Sequence, residues 1–256
     1  MALDSINKTL YSSENGVVSY INTTLQPAEV SIFVNYKEAF YGKKILDIGC
    51  GTGRTSHYLR NFTDQYIGVD YSEGMVAFCK HAYPELTFYH ADARDLSRFD
   101  NESFDLVLFS YNGIDYIEDE GRKKALQEIY RVLKPSGLLV FSAHNRNYKN
   151  INTSPRFNLS MNPINFARNV ICFLQERNNR ARLSKQEVHF DEYAILNDSG
   201  NKFGLLTYYI TKEQQAEQLE DAGFAVRQMF HSDGSVLKPE QDDSDCCWIY
   251  YVCSRI

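Results

Sequence analysis

No apolar run in this sequence approaches the ~20 residues that a membrane-spanning helix needs. The opening segment MALDSINKTLYSSENG is polar and lacks the apolar centre of a signal peptide. Six cysteines are present, none in a C-x-x-C pair, and adjacent Cys246 and Cys247 suit neither a zinc knuckle nor a mutual bridge. The histidines show no ligand spacing, so no metal is expected. Positive charge is not in excess: 27 Lys and Arg face 33 Asp and Glu, a net charge of -6. Nucleic-acid affinity comes largely from basic residues that displace counterions, so DNA is not an expected partner. These absences predict free thiols, a reducing compartment, a cytoplasmic protein and no membrane partner. The 256 residues are 43% hydrophobic, which excludes a disordered tail and suits one large domain or a domain with a lid.

The first 42 residues read as mostly helical, with scattered apolar positions such as Ile21, Leu25, Val30, Ile32, Phe33 and Phe40. The pattern then changes to short apolar runs at Lys44–Ile48, Tyr66–Val69, Leu86–Tyr89, Phe104–Phe109 and Gly137–Ser142. Runs of this length that are apolar on both faces predict strands buried in a parallel sheet. Helices are expected between them at Arg54–Asn61, at Glu73–His81 with Ser72 as N-cap, and at Gly121–Leu133, which Lys134-Pro135-Ser136-Gly137 should stop. The alternation predicts a doubly wound α/β fold.

After Ala143 the rhythm breaks into an Asn- and Arg-rich stretch with an amphipathic helix expected over Asn165–Gln175. A hairpin is expected around Asn197–Asn201, then a helix over Lys212–Ala222 between Thr211 and Gly223. Strands are expected at Phe224–His231 and Trp248–Ser254, which gives a seven-stranded, mostly parallel sheet. Segment 144–210 would then enter at the carboxyl ends of the strands, where ligands bind, and reads as a substrate-shaping lid.

Asp47-Ile48-Gly49-Cys50-Gly51-Thr52-Gly53 closes the first strand and opens the first helix. Alternate glycines let the backbone turn sharply and let a ligand approach the main chain. A dinucleotide fingerprint needs a small residue where Arg54 stands, and a phosphate loop needs Lys there before Thr55. Both nucleotide readings fail at that residue.

The pattern D-x-G-x-G-x-G that remains resembles the first motif of the class I S-adenosylmethionine-dependent methyltransferases, in particular their small-molecule branch. IGVDYSEGMV, HADARDL, FDLVLFSYNGIDYI and EIYRVLKPSGLLVFS resemble the motifs that follow, in order and at the usual spacing, over residues 44–143. The resemblance implies a Rossmann-like methyltransferase fold in a single domain, 1–256. Within it, 1–42 is an N-terminal helical segment, 43–143 the cofactor-binding core, 144–210 the insert and 211–256 the closing helix and last strands.

The resemblance further implies S-adenosyl-L-methionine as cofactor, with S-adenosyl-L-homocysteine as product. Gly49, Cys50, Gly51 and Gly53 would meet its methionine and ribose through the backbone. Asp47 would hold the ammonium group, and Asp70, about twenty residues past the glycines, the ribose hydroxyls. Tyr71 and Met75 would line the adenine, Asp92 and Ala93 would bond its edge, Ser110 and Tyr111 would lie beside the sulfonium, and Tyr11 would close over the carboxylate.

For the methyl acceptor, His144 and Asn112 are the expected catalytic groups, since both follow core strands at the ligand-binding edge. Tyr116 and Tyr208 join them as expected substrate contacts. His189 and His231 are further candidate bases, Asp115 a candidate orienting group, and Arg168, Arg177, Arg180 and Arg182 either an anion-recognising stretch or a solvated helix face. Residues 110–113 are Ser-Tyr-Asn-Gly, without the prolines of base-amine methylases. The expectation is methyl transfer to nitrogen or oxygen of a small molecule. A peptide, protein or modified-RNA acceptor, or a binding protein that performs no transfer, are the alternatives.

Overall fold

The computed structural model describes Leu3, Ile6, Asn7, Ile21 and residues 23–256; Tyr11 lies outside them. Past Leu3, Ile6 and Asn7, which are helical, the described residues form two helices, α1 (Pro27–Asn35) and α2 (Lys37–Phe40). The alternating core follows as β1 (Ile45–Ile48), α3 (Ser56–Leu59), β2 (Tyr66–Asp70), α4 (Glu73–Ala82), β3 (Thr87–His90), β4 (Phe104–Phe109), α5 (Asp119–Val132) and β5 (Leu133–Asn145). The remainder is α6 (Pro163–Leu183), β6 (Val188–His189), β7 (Tyr193–Leu196), β8 (Thr207–Ile210), α7 (Lys212–Asp221), β9 (Phe224–His231), β10 (Val236–Leu237) and β11 (Trp248–Arg255).

The strands join in one sheet, in the order β10-β9-β11-β5-β4-β1-β2-β3. Strands β1 to β5 run parallel to one another, whereas β11 runs antiparallel to both β5 and β9. Seven of these strands make the expected core, and the sheet is larger than expected by four short strands. β10 extends one edge, while β8 pairs with β5 at His144 and Asn145 and carries β7 and β6 with it. The expected hairpin is there with shorter arms, β7 and β8, around a longer loop.

Some boundaries differ from the sequence reading for physical reasons. The helix expected from Arg54 begins only at Ser56, because the glycine turn occupies residues 51–55. The stop signal Lys134–Gly137 does not precede β5 but lies inside it: Ser136 takes φ +61°, and the register with β4 shifts between Phe104 and Leu106. It acts as a bulge within a strand rather than a turn before one. Ser72 caps α4 by accepting from the Met75 N–H at 3.4 Å. Helix α6 is nearly twice as long as expected, with Asn162 as its cap.

Both faces of the sheet are covered. One packs Leu126, Ile129, Val132, Phe141 and Tyr251 with α5 and α7; the other packs Ile32, Phe40, Leu59, Val140 and Tyr250 with α1 to α4. Phe141 stacks on Tyr251 at 5.1 Å between ring centres. Each such side chain contributes about 1.5–3 kcal/mol when fully buried.

One charge sits inside this apolar packing. Arg122 of α5 is fully buried, donates to Asp115 at 2.6 Å, bonds Gln215 and Gln218 of α7, and lies over the Tyr208 ring. It ties α7 to α5 and neutralises Asp115, which is also fully buried. We expect Arg122→Met to cost about 3–5 kcal/mol, because it strands the Asp115 charge. Adding Asp115→Leu should recover most of that loss. Urea unfolding of the single and double variants measures both, and a stable single variant would show that Asp115 is held by other means.

Candidate active site

A cavity of about 290 Å³ opens at the carboxyl ends of β1, β2 and β4. Its described lining comes from Asn7 and residues 47–117, with none from the 144–210 insert. The turn after β1 forms its floor. Gly51 has φ +56°, and nothing lies within 4 Å of where a Cβ would stand, so its backbone faces open space. The cavity is shaped to leave main chain bare at this point.

Gly53 differs. It has φ +83° and does not line the cavity; a Cβ there would stand 2.5 Å from the Tyr83 ring. The expected cofactor role of Gly53 is therefore corrected to one of packing and conformation. Gly49 and Cys50 do line the cavity, and the Cys79 thiol donates to the Gly51 carbonyl at 3.1 Å behind them.

Two carboxylates flank the turn. Asp70, 6% exposed at the end of β2, accepts from the Gly51 N–H at 2.9 Å and the Ser72 N–H at 2.8 Å. It thereby ties the turn after β1 to the start of α4. Asp47, 1% exposed, accepts from the Thr55 and Tyr66 hydroxyls at 2.6 and 2.8 Å. Burial pushes both carboxyls up to about 6, against the opposing pull of their hydrogen bonds.

Tyr71, Met75, Asp92, Ala93, Ser110 and Tyr111 all line the cavity. Asp92 holds Arg94 through both of its oxygens, at 2.9 and 2.7 Å. A side chain absent from the sequence expectations also lines it. Arg54, which only served above to exclude nucleotide loops, pairs with Glu29 of α1 through both guanidinium ends and lies 4.8 Å from the Tyr111 ring centre. Glu29 is 2% exposed and also accepts from the Ser110 hydroxyl and, at 3.3 Å, from Tyr250. The pair joins residues 25 positions apart, which no local pattern reveals.

The end of β4 is strained. Tyr111 and Asn112 are consecutive non-glycine residues at φ +56° and +60°, each costing of order 1–3 kcal/mol. The kink leaves Tyr111 43% exposed and buries Asn112 to 4%, where its N–H donates to the Ser142 hydroxyl at 2.8 Å. The Asn112 Oδ1 is buried and meets no hydrogen-bond donor among the described residues. Trp248, also unforeseen, lies between the rings of Tyr111 and His144, at 6.3 and 6.2 Å. Its Nε1 is buried and likewise without a partner among the described residues.

His144 ends β5 next to this row. Its Nδ1 lies 2.8 Å from Asp115 Oδ2, and the same oxygen accepts from its backbone N–H at 2.6 Å. A carboxylate at Nδ1 fixes the ring and favours the tautomer with its proton there, leaving Nε2 as the acceptor. Arg122, Asp115 and His144 thus form a buried chain that ends at a side chain 14% exposed. Tyr116 lines the cavity, but Asn112 and His144 stand beside it rather than on its wall. Tyr208 does not reach it. That side chain is 1% exposed, donates to Asp119 at 2.7 Å and stacks on Tyr193 at 4.6 Å, so the expected substrate contact is corrected to packing. Among the other candidates, His231 lies near Asp233 and Asp245, away from the cavity, and Arg180 pairs with Glu187. No cluster of three potential metal ligands occurs among the described residues.

Residues 45–137 match a family model described as a methyltransferase domain. A demethylmenaquinone methyltransferase of Clavibacter sepedonicus is 35% identical over 142 residues, covering 54% of this chain and 52% of the relative. A malonyl-[acyl-carrier protein] O-methyltransferase of Buchnera aphidicola is 34% identical over 152 residues, covering 56% and 60%. The chain thus spans about half the length of the curated relatives it matches. Among solved structures, the Burkholderia thailandensis 1,6-didemethyltoxoflavin-N1-methyltransferase, with bound 1,6-didemethyltoxoflavin and S-adenosylhomocysteine, superposes with a TM-score of 0.61. It is 12% identical, and the match covers 99% of this chain and 88% of that one, so the likeness is one of fold.

The raised carboxyls have a consequence for stability. Protonated Asp47 and Asp70 suit the folded state better than ionised ones, so a penalty accrues as pH rises from about 4 to about 6 and stays constant above. In Asp70→Asn, unfolding free energy should vary with pH over that window less steeply than in the parent, by about 1–3 kcal/mol in total. Urea unfolding between pH 4 and 7 checks this, and parallel curves would remove the raised ionisation of Asp70.

Proposed function

We propose that this chain, whose residues 45–137 match a methyltransferase domain family, is a class I S-adenosylmethionine-dependent methyltransferase that methylates a nitrogen or oxygen of a small molecule. One observation carries this reading: the glycine turn opens onto a cavity flanked by two buried carboxylates, with main chain bare at Gly51. The donor set fits the cofactor. Asp47 suits its ammonium group, Asp70 its two ribose hydroxyls, and the backbone at Gly49, Cys50 and Gly51 its methionine and ribose. Arg54, held in place by Glu29, suits its carboxylate. Tyr71 and Met75 flank the adenine, with Asp92 and Ala93 at its edge and Ser110 and Tyr111 towards the sulfur. The cofactor, when bound, supplies a methyl carbon already activated by a sulfonium.

The chain's own residues must then align the acceptor, exclude water and receive a proton. The strained end of β4 aims Tyr111 outwards and keeps the Asn112 Oδ1 free to orient a donor on the acceptor. Nε2 of His144 is the proton acceptor in this reading, and Asp115 positions it without touching the substrate. Tyr116, on the cavity wall, shapes the acceptor's side. A bound 1,6-didemethyltoxoflavin in the Burkholderia neighbour supports a small acceptor.

Calorimetric titration with S-adenosylmethionine and S-adenosylhomocysteine, with NAD as control, tests the cofactor assignment. We expect binding of the first two only. Asp70→Ala should weaken it by about 1–3 kcal/mol, through loss of charge-assisted bonds, and Gly51→Val should abolish it in a folded protein. Parental affinity in either variant would sink the assigned site. A screen with labelled methyl donor over amines, phenols and acids then tests transfer. With an acceptor in hand, His144→Ala should lower kcat by about 10²–10⁴-fold with cofactor affinity unchanged. Asp115→Asn should lower kcat and shift the pH profile, whereas parental kcat in both variants would exclude the pair.

A further inference from the structure

Helix α6 leaves a row of apolar side chains exposed on the side turned away from the protein. Asn169, Cys172, Phe173, Glu176, Arg180 and Leu183 face inwards at helical spacing and are partly or fully buried. On the opposite side Ile164, Ile171 and Leu174 are 79, 67 and 57% exposed, with exposed Ala167 and Ala181 in the same row. Leu159 and Met161, just before the helix, are 77 and 95% exposed. The row from Ile164 to Leu174 runs about 15 Å along the helix. Exposed Arg168 borders it on one side and exposed Arg177 on the other, and exposed Arg182 follows in line with Ile164 further along the helix.

The charge here opposes that of the whole molecule. Residues 144–185 hold eight Lys and Arg and a single acid, Glu176, in a chain of net charge -6. A linear apolar stripe on a projecting helix, bordered by arginines whose stems can bury while their heads stay wet, is the pattern of a helix that lies in a bilayer interface. A second copy of the chain placed on the stripe would set arginine against arginine. We propose that α6 docks this protein on an anionic lipid surface, with the Ile164–Leu174 stripe in the headgroup region. The sequence expectation of no membrane partner addressed only spanning segments, and no described helix is long and apolar enough to cross a membrane.

Co-sedimentation of the full chain with phosphatidylglycerol–phosphatidylcholine vesicles, against phosphatidylcholine alone, tests the proposal. Binding should be about tenfold tighter to the anionic vesicles and weaken with salt. Ile171→Asp with Leu174→Asp should abolish it, and Arg168→Gln with Arg177→Gln should weaken it. Unchanged calorimetric binding of S-adenosylhomocysteine shows that the variants are folded if they bind it, and circular dichroism does so independently of that site. No binding to anionic vesicles, or binding that the Asp variants keep, overturns the proposal. So does a dimer in sedimentation velocity that those variants dissociate, which would assign the stripe to a second copy.

Discussion

The site depends on a single tie: the Asp70 carboxylate accepts from the N–H groups of Gly51 and Ser72. β1 and β2 are parallel neighbours, so their ends lie side by side at one edge of the sheet. The turns after the two strands must be held in a fixed relation to each other beside the cavity. Asp70 does this with charge-assisted bonds that no apolar side chain could make. Its carboxyl is thereby drawn into a dry place, which is why burial raises its ionisation despite two good donors. Asp47 stands in the same condition on the other side of the turn. The protein thus keeps two carboxyls, both raised by burial, beside an open cavity.

This explains which parts of the molecule were legible in the sequence. Buried parallel strands read directly, because both faces of each strand are apolar and the runs are short. The glycine turn read directly too, because its chemistry is local: three positive-φ positions and two acids at the strand ends. Even so, the sequence could not assign the glycines individually. Gly51 bares the main chain to the cavity, whereas Gly53 makes room for Tyr83, and that difference depends on a ring thirty residues further on.

The features that escaped are pairings between distant segments. Glu29 finds Arg54 and Tyr250 only because α1 packs over the ends of β4 and β11. Arg122 stands among charged neighbours in α5. It becomes a buried anchor because α7 brings Gln215 and Gln218 against it. Tyr208 failed as a substrate contact for the same reason, its hydroxyl being satisfied by Asp119 across the packing. The bulge at Ser136 was misplaced because a Pro-Ser-Gly cluster marks a turn equally well before a strand or within one.

Two kinds of construction therefore meet at the sheet edge. In the proposed reading the cofactor side is backbone and residues that follow their strands directly, which suits a ligand whose recognised groups are fixed. The acceptor side in that reading is Asn112, just past β4, with His144 of β5 and Trp248 of β11, all set by contacts across the sheet. A kinked β4 end carries its strain because Ser142 holds the Asn112 N–H and Arg54 packs on Tyr111. Local sequence pattern therefore speaks clearly about the glycine turn and hardly at all about the residues that distant segments bring beside it.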